Sequence, residues 1–484
     1  MIAKKLGIYL IPTLFLCFSS TMVFSQKIKA RKGSFGIDKS NKIIVWHHSK
    51  IDTISFTSSK IKGFKFGNSF KVLDTISSLA YSKEYKVSRK GNIYSLYISK
   101  LPLVQVKVRP VINENTKVLG RYKYFNDNNY IKSSVGIEYR GNLSLTYPKK
   151  TYDLEFWADS IKNKSKDLKF KDLRDDDDWI LDGLYNEPLR IRSYMANKLW
   201  LSLYKPSYQT VDKEAKSGID AVFVEVFKNN KYQGIHTLSE SVDRKLLNLK
   251  RNNIKNIQGE LFKASSYEGA PAFIKAPEFN NLFPHWGGFE MVFPIVDYES
   301  HWDNLADFVD LVVNGKDTDF AQSISEKIDI NNTIDYFLFV NLLRATDNLG
   351  KNYYLARYDE NGAYFFIPWD LDGIMGIIQD GKRIVTTDDI LSNGLFDRLL
   401  EVNPDEYKSK IKSRWKALRK SDFSDGNLLG TIETLYSKLQ TEKVYEREHL
   451  IWPSEKSVEN DYEYLETWLK NRLVFLDAYF KNLE

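Results

Sequence analysis

One segment, residues 330–373, constrains the fold of this chain more than any other. Two aromatic-rich runs, 353–358 and 363–369, flank Asp359-Glu360-Asn361-Gly362, and an Asn-Gly turn between such runs predicts a β-hairpin. Upstream, residues 332–343 carry apolar side chains at helical spacing and predict a buried helix. The segment therefore predicts a helix, a loop and a hairpin in succession, which favours an α+β fold.

Four polar side chains stand at the two ends of this hairpin: Asp347, Asn352, Asp370 and Asp372. In protein kinases an Asp orients the acceptor hydroxyl, an Asn five residues later holds Mg²⁺, and an Asp beyond two short strands holds Mg²⁺ against the ATP phosphates. Alternation along an extended strand would point Asp370 and Asp372 to the same side, as carboxylates that share a cation require. An Asp-x-Asp in a loop is otherwise a turn or a solvated pair. The ordered set favours Asp347 as the catalytic residue and the other three as metal ligands.

Several blocks of the chain resemble the CotH kinases, a family of spore coat protein H-like atypical protein kinases, and they occur in the family's order over about residues 100–420. The matching blocks are 139–144 with 148–152, 178–181 with 189–192, 224–227 with 232–240, 259–263, 289–294 and 368–373. The resemblance implies an atypical protein-kinase-like two-lobed fold, here with an N-terminal β-rich extension. It also implies ATP and Mg²⁺ as cofactors and a protein that supplies a Ser or Thr hydroxyl as acceptor.

The turn that follows a predicted strand near residue 140 is a candidate for covering the ATP phosphates. Backbone N–H groups of Arg140, Gly141 and Ser144 could face the phosphates, with Lys149 or Lys150 supplying positive charge. An ordinary hairpin with two solvated lysines is the alternative.

Three further residues are candidates for ATP binding. Arg192, on a helix predicted after Glu187-Pro188, is either a phosphate ligand or an ion-pair partner. Glu240 follows a predicted strand and either pairs with a nucleotide-binding lysine such as Lys263 or caps a helix. Lys149, Lys150 and Lys263 all remain candidates for that lysine. The acidic run 175–178 is better explained as a solvated loop than as a metal site.

Residues 1–25 predict a signal peptide. Lys4 and Lys5 precede an apolar run that ends at Phe18, and Val23-Phe24-Ser25 resembles a cleavage site. We therefore expect a secreted, periplasmic or cell-surface protein. A lipid anchor at Cys17 is disfavoured because no small residue precedes it, and the run is too short for a membrane span of about 20 residues. Cys17 is the single cysteine, so the mature chain would fold without disulfides.

The rest of the sequence divides by pattern. Residues 26–100 alternate apolar and polar side chains and predict a β-rich N-terminal region; 101–420 correspond to the CotH-like kinase domain. Within that domain we expect strands near 134–140, 150–157, 179–185, 221–227 and 232–239. Residues 421–484 predict helices that pack on the larger lobe. A chain of 484 residues that is 43% hydrophobic can bury the cores of two or three such domains.

The charge of the chain gives no support for a polyanionic partner such as nucleic acid. The formal net charge of +7 is spread along the chain, and its basic stretches are interleaved with Asn and Leu, so we expect no nucleic-acid binding and no stable membrane span after cleavage. The leading hypothesis is an exported, Mg²⁺-dependent phosphotransferase that moves the ATP γ-phosphoryl to Ser or Thr. The alternative is a non-catalytic surface binding or adhesion module. Glycan hydrolysis is less suitable, because Asp370 and Asp372 are too close in sequence to flank a sugar.

Overall fold

The computed structural model describes residues 26–51, 61–76, 78–161, 164–252, 256–296, 300–454 and 456–484. The predicted signal peptide and residues 52–60 of the predicted β-rich region lie outside this part of the chain. None of the helices in the described ranges combines the length and the apolar character that crossing a membrane requires.

The N-terminal region forms one seven-stranded sheet. Its core is aromatic and aliphatic, with Trp46, Phe64 and Phe66 in mutual ring contact. The sheet order is β1-β4-β5-β6-β7-β3-β2. The strands are β1 Gln26–Lys29, β2 Phe35–Asp38, β3 Ile43–His47, β4 Ile61–Phe66, β5 Asn68–Ile76, β6 Glu84–Arg89 and β7 Asn92–Ser99.

A second group of seven strands closes on itself in the order β10-β11-β14-β16-β15-β8-β9. Alternating inward residues fill its interior, where Phe170 packs edge-on against Trp179. The strands are β8 Leu103–Val108, β9 Val118–Phe125, β10 Tyr130–Tyr139, β11 Tyr152–Trp157, β14 Asp178–Asp182, β15 Ala221–Lys228 and β16 Lys231–Ser239, with a small pair of β12 Leu168–Lys169 and β13 Asp175–Asp176. The five strands predicted between residues 134 and 239 are thus all present.

The remaining chain is mostly helical and packs around a third sheet, of order β18-β19-β17-β20-β21. Its strands are β17 Glu260–Ala264, β18 His285–Trp286, β19 Phe289–Phe293, β20 Tyr353–Arg357 and β21 Tyr364–Pro368. The helices are α1 Arg192–Leu203, α2 Arg244–Leu247, α3 Asp303–Val313, α4 Asp317–Lys327, α5 Ile330–Leu343, α6 Gly394–Val402, α7 Tyr407–Leu418, α8 Asp425–Thr441, α9 Val444–Ile451 and α10 Val458–Lys481. The chain is therefore α+β.

The helix–loop–hairpin unit predicted from the sequence is present. Helix α5 begins at a cap where the Asp329 carboxylate accepts hydrogen bonds from the N–H groups of Asn331 and Asn332. From Asn332 to Leu343 every residue of α5 is buried, because the helix is apolar on nearly all sides and runs through the core. Strands β20 and β21 then pair antiparallel, with Tyr353 opposite Pro368. The loops at the two ends of this hairpin are thereby held next to each other.

Candidate active site

A cleft of about 600 Å³ lies where the closed sheet meets the β20–β21 hairpin. It brings together nine of the residues singled out in the sequence, although they come from distant parts of the chain. These are Arg140, Gly141, Ser144, Lys149, Lys263, Asp347, Asn352, Asp370 and Asp372.

Asp347 stands on a short 3₁₀ helix, Thr346–Leu349, directly after α5. The Tyr267 hydroxyl donates to its Oδ1 at 3.0 Å, and the Lys351 ammonium lies 4.0 Å from its Oδ2. Partial burial and the neighbouring carboxylate raise the pKa of Tyr267, so that its hydroxyl stays protonated and keeps donating. The Asp347 carboxylate is thus oriented by a hydroxyl and remains partly exposed to the cleft.

Asn352 and Asp370 both have left-handed backbone conformations, with φ of +58° and +54°. Asn and Asp tolerate this region better than other residues with a side chain. The expectation that Asp370 and Asp372 alternate along an extended strand is wrong, since β21 ends at Pro368 and the chain turns at Asp370. The turn nevertheless leaves both carboxylates in the wall of the cleft.

Asn348 joins the loops that carry these residues, and the sequence analysis missed it. Its buried amide Nδ2 donates to the carbonyl of Asn352 at 2.6 Å and to that of Trp369 at 2.8 Å. The Tyr336 hydroxyl in turn donates to the Asn348 carbonyl at 2.8 Å. The sequence shows Asn348 next to the predicted catalytic Asp347, but it does not show where the Asn348 side chain points.

The carboxylates of the cleft repel one another. Asp370 is solvent-accessible within the cleft, yet protein surrounds it closely enough that desolvation, then the charge of Asp182, raises its pKa. Desolvation, followed by Asp370, Asp182 and Asp347, raises the pKa of Asp372 to about 8. Asp182, at the end of β14, was not predicted; its Oδ1 accepts from the Thr151 hydroxyl at 2.9 Å. Carboxylates are hard oxygen donors, the type of ligand that a divalent cation such as Mg²⁺ prefers.

Desolvation and Asp182 raise the pKa of Asp370, and three cations offset part of this rise: Arg140, Lys263 and Lys351. The Arg140 guanidinium lies over the Trp369 ring at 5.2 Å, and each of the three side chains is about one third exposed. Lys351 was not predicted as a site residue, although its position four residues after Asp347 could have indicated it. These partly exposed cations can meet an anionic ligand in the cleft.

Lys149 is engaged with protein groups. Its ammonium is fully buried and donates to the Ile235 carbonyl at 2.6 Å and to the carboxylate of Glu448, on α9, at 2.9 and 3.1 Å. Burial outweighs the attraction of Glu448 and lowers the pKa of Lys149 to about 8. Lys149 therefore fixes the loop between β10 and β11 to α9.

The loop between β10 and β11 is more elaborate than an ordinary hairpin turn, which was the alternative to a phosphate-covering turn. It contains a 3₁₀ helix, Leu143–Thr146, and Gly141 has φ of +107°. The Ser144 hydroxyl donates to the Arg140 carbonyl at 2.9 Å. A side chain at Gly141 would collide with that hydroxyl, since its Cβ would lie 1.9 Å from Ser144 Oγ.

Two of the predicted ATP ligands point elsewhere. The guanidinium of Arg192 is fully buried and forms ion pairs with Glu187 at 2.9 Å and Asp461 at 2.8 Å, so it has no access to a phosphate. The Lys150 ammonium donates to the Leu145 carbonyl and lies 5.6 Å from the centre of the Tyr139 ring. Both side chains have structural partners.

The predicted pairing of Glu240 with Lys263 is also wrong. Glu240 is buried and accepts from the Lys216 ammonium at 2.6 Å, and its other contacts are backbone N–H groups of Arg174 and Asp220. The Lys263 ammonium instead lies 3.8 Å from the carboxylate of Glu290. Glu240 therefore ties loops together at the end of the closed sheet.

The acidic run around residue 176 is held by cations. Asp176 forms ion pairs with Arg174 and Lys245, and Lys245 also reaches Asp177 at 2.8 Å. With Asp167, these carboxylates lie close enough together to form a group of potential metal ligands. Its charge is already compensated by protein groups.

Comparison with known proteins defines the class to which this fold and cleft belong. The model of the CotH kinase protein family matches residues 137–476, more than half of the chain. The chain therefore belongs to the CotH kinase family.

One relative and one solved structure can be set beside it. The inner spore coat protein H of Bacillus subtilis (strain 168) is 23% identical over 356 residues, which cover 72% of this chain and 87% of that protein. The crystal structure of the Helicobacter pylori proinflammatory kinase CtkA is matched over 78% of this chain and 99% of that chain, with 11% identity and a TM-score of 0.23. So low a TM-score carries no argument about the fold or the site.

Proposed function

We propose that this chain is a Mg²⁺-dependent atypical protein kinase that transfers the γ-phosphoryl group of ATP to a Ser or Thr hydroxyl. The observation that carries the proposal is the cleft itself. Asp347, Asn352, Asp370 and Asp372 all line it, and Asp347 and Asn352 have the five-residue spacing of a kinase catalytic loop. Membership of the CotH kinase family supports the same reaction class.

In this proposal Asp347 acts on the acceptor. Its carboxylate orients the hydroxyl and accepts the proton as the new bond forms between the acceptor oxygen and the γ-phosphorus. The bond between that phosphorus and the bridging oxygen breaks at the same time, and ADP leaves with the bond's electrons. The Tyr267 hydroxyl and the Lys351 ammonium hold the Asp347 carboxylate in position.

Asn352, Asp370 and Asp372 would hold Mg²⁺. The fit rests on the donor set, since three oxygen-bearing side chains line the cleft and the pKa values of the two carboxylates are raised by proximity and desolvation. When bound, the metal ion supplies positive charge to the phosphate oxygens. Arg140, Lys263 and Lys351 add positive charge from the protein, and Gly141 and Ser144 present the loop backbone.

We further propose that the acceptor is a secreted or surface protein. The sequence of residues 1–25 supports export. The name of the Bacillus subtilis relative places that protein in a spore coat, which supports an acceptor of the same kind here. Nucleic acid has no part in the proposal.

Asp347→Asn tests the assignment most sharply, because it keeps the size of the side chain and removes its basicity. We expect phosphoryl transfer to fall by about 10²- to 10⁴-fold, the range for loss of a general base, while MgATP binding changes little. Asp307→Asn, at an exposed position of α3, is the matched control and should transfer at the wild-type rate. Wild-type transfer by Asp347→Asn would contradict the proposal.

A further inference from the structure

Helix α9 touches three parts of the molecule through three successive side chains. Glu446 contacts the N-terminal sheet, Arg447 contacts the closed sheet, and Glu448 contacts the wall of the cleft. The helix is only eight residues long, and the three contacts come from adjacent residues.

Glu448 fixes the loop between β10 and β11, which carries Gly141 and Ser144 and forms what we call the nucleotide side of the cleft. Besides the Lys149 ammonium, its carboxylate accepts the N–H of Ile235 at 2.5 Å and lies 3.4 Å from the Arg190 guanidinium. Gly234 makes room for it, since its φ is +79° and a Cβ there would lie 1.8 Å from Glu448 Oε1. Through Lys149, Glu448 thus holds the loop between β10 and β11.

Arg447 forms a fully buried ion pair with Glu225 of β15. The Glu225 carboxylate also accepts from the Ser99 hydroxyl at 2.7 Å and from the Tyr232 hydroxyl at 2.5 Å. Ser99 is the last residue of β7, so the N-terminal sheet takes part in the same network. A buried ion pair is stable only when its remaining polar atoms also form hydrogen bonds. The hydrogen bond from the Ser99 hydroxyl therefore stabilises the Arg447–Glu225 pair.

Two further contacts connect the end of β7 to the chain around α9. The Tyr97 hydroxyl donates to Glu446 at 3.2 Å, and the Lys100 N–H donates to Glu442 at 3.2 Å. The N-terminal sheet therefore contacts α9 and Glu442, which precedes it, from one side. Neither the family match over residues 137–476 nor the cleft explains the role of this sheet.

We propose that α9 couples the N-terminal sheet to the nucleotide side of the cleft. The end of β7 sets the position of α9, and Glu448 then positions Lys149 and the loop that carries Gly141 and Ser144. The inference rests on the proposed function, and it gives residues 26–99 a role in nucleotide binding. Glu448 is a positioning residue, because it acts through Lys149.

The test compares two double variants in the N-terminal sheet of the full chain. Tyr97→Phe/Ser99→Ala removes the two hydroxyls that reach the α9 network. Tyr85→Phe/Ser95→Ala is the matched control, because these hydroxyls accept from the Ala80 N–H at 2.7 Å and from Lys86 at 3.1 Å, both within the N-terminal sheet region.

Two readouts are needed. Hydrogen exchange reports the setting of α9 and of residues 140–151 without any nucleotide, and calorimetric titration reports MgATP affinity. For Tyr97→Phe/Ser99→Ala we expect faster exchange in both segments and MgATP affinity lower by about three- to tenfold, the scale of one or two lost hydrogen bonds. The control should alter neither readout there, although its thermal stability falls to a similar degree.

Exchange that changes only near residues 97–100 would overturn the coupling. Faster exchange in α9 with unchanged MgATP affinity would also overturn it, because the nucleotide side would then be independent of the helix. Failure of the proposed function has a separate signature: the wild-type chain itself would bind no MgATP, and the inference would fall with it.

Discussion

The two walls of the cleft are built in different ways. The wall that would hold the metal comes from one continuous stretch, from Asp347 to Asp372, folded as a loop, a hairpin and a second loop. The opposite wall is assembled from distant segments, and its Lys149–Glu448 ion pair joins residues 299 positions apart. Spacing along the chain can therefore predict the first wall, whereas the second depends on tertiary contacts that spacing does not encode.

The largest expected effect concerns Arg192, for which the sequence left open a phosphate contact or an ion pair and which the structure places in buried ion pairs. Arg192→Met removes the cation that the buried Glu187 and Asp461 share and leaves Asp461 only its contact with Arg383. We therefore expect the free energy of unfolding to fall by about 3–5 kcal/mol. Chemical denaturation measures this loss. Arg383→Met is the matched control, since Arg383 is a half-exposed partner of the same Asp461 and should cost at most about 1 kcal/mol. A stable Arg192→Met that binds MgATP poorly would restore Arg192 to the cleft.

Asp370→Ala is the strongest change in the locally built wall. Removing this carboxylate takes away a proposed metal ligand, so we expect MgATP affinity to fall by at least about 100-fold, the upper end of what supporting changes at metal sites cost. Titration of the variant with ATP in the presence of Mg²⁺ measures it. The exposed Asp307→Ala on α3 serves as the control. Wild-type affinity in Asp370→Ala would remove this residue from the site.

Asn348→Asp tests how the two loops of that wall are joined. The variant is nearly isosteric, but it faces the Asn352 and Trp369 carbonyls with a carboxylate in place of an amide donor. We expect MgATP affinity to fall by about tenfold, in line with the cost of an unsatisfied buried group.

Asn341→Asp is the matched control for Asn348→Asp. The buried Asn341 amide likewise donates to two carbonyls, those of Phe337 and Leu391, away from the cleft. It should lower stability and leave the affinity of the folded fraction unchanged. Equal affinities for the two variants would show that Asn348 has only a structural role.

The smallest expected effect is a dependence on pH. Because the pKa of Asp372 is raised to about 8 in the folded chain without metal, a proton competes with Mg²⁺ below that pH. MgATP affinity should therefore rise from pH 6 to 8 and level off above it. Asp372 titrates together with Asp370, so the pair sets the midpoint. In Asp372→Asn the rise should be flatter, and an identical profile would assign the titration elsewhere.

The sequence predicted the elements more successfully than the contacts between them. The α5 helix, the β20–β21 hairpin and the strands of the closed sheet follow from local periodicity and an Asn-Gly turn, which act over a few residues. The turn of the chain at Asp370, the presence of the Asp182 carboxylate near the cleft and the direction of the Asn348 amide depend on tertiary packing.

The wrong ATP-binding predictions for Arg192 and Glu240 share one physical cause. Arg192 and Glu240 are charged residues that the chain buries, and charged side chains are almost never fully buried unless they are paired. Periodicity shows that such a residue lies on a helix or strand, but the identity of its partner comes from elements far along the chain, as with Arg192 and Asp461.

The central claim is that the two walls together bind ATP through a metal ion. Calorimetric titration of the chain from residue 26 to 484 with ATP, with and without Mg²⁺, tests it most directly. The account predicts saturable binding in the presence of Mg²⁺ and much weaker binding in its absence. No binding in either condition would contradict the account and favour a surface binding or adhesion module on the same fold.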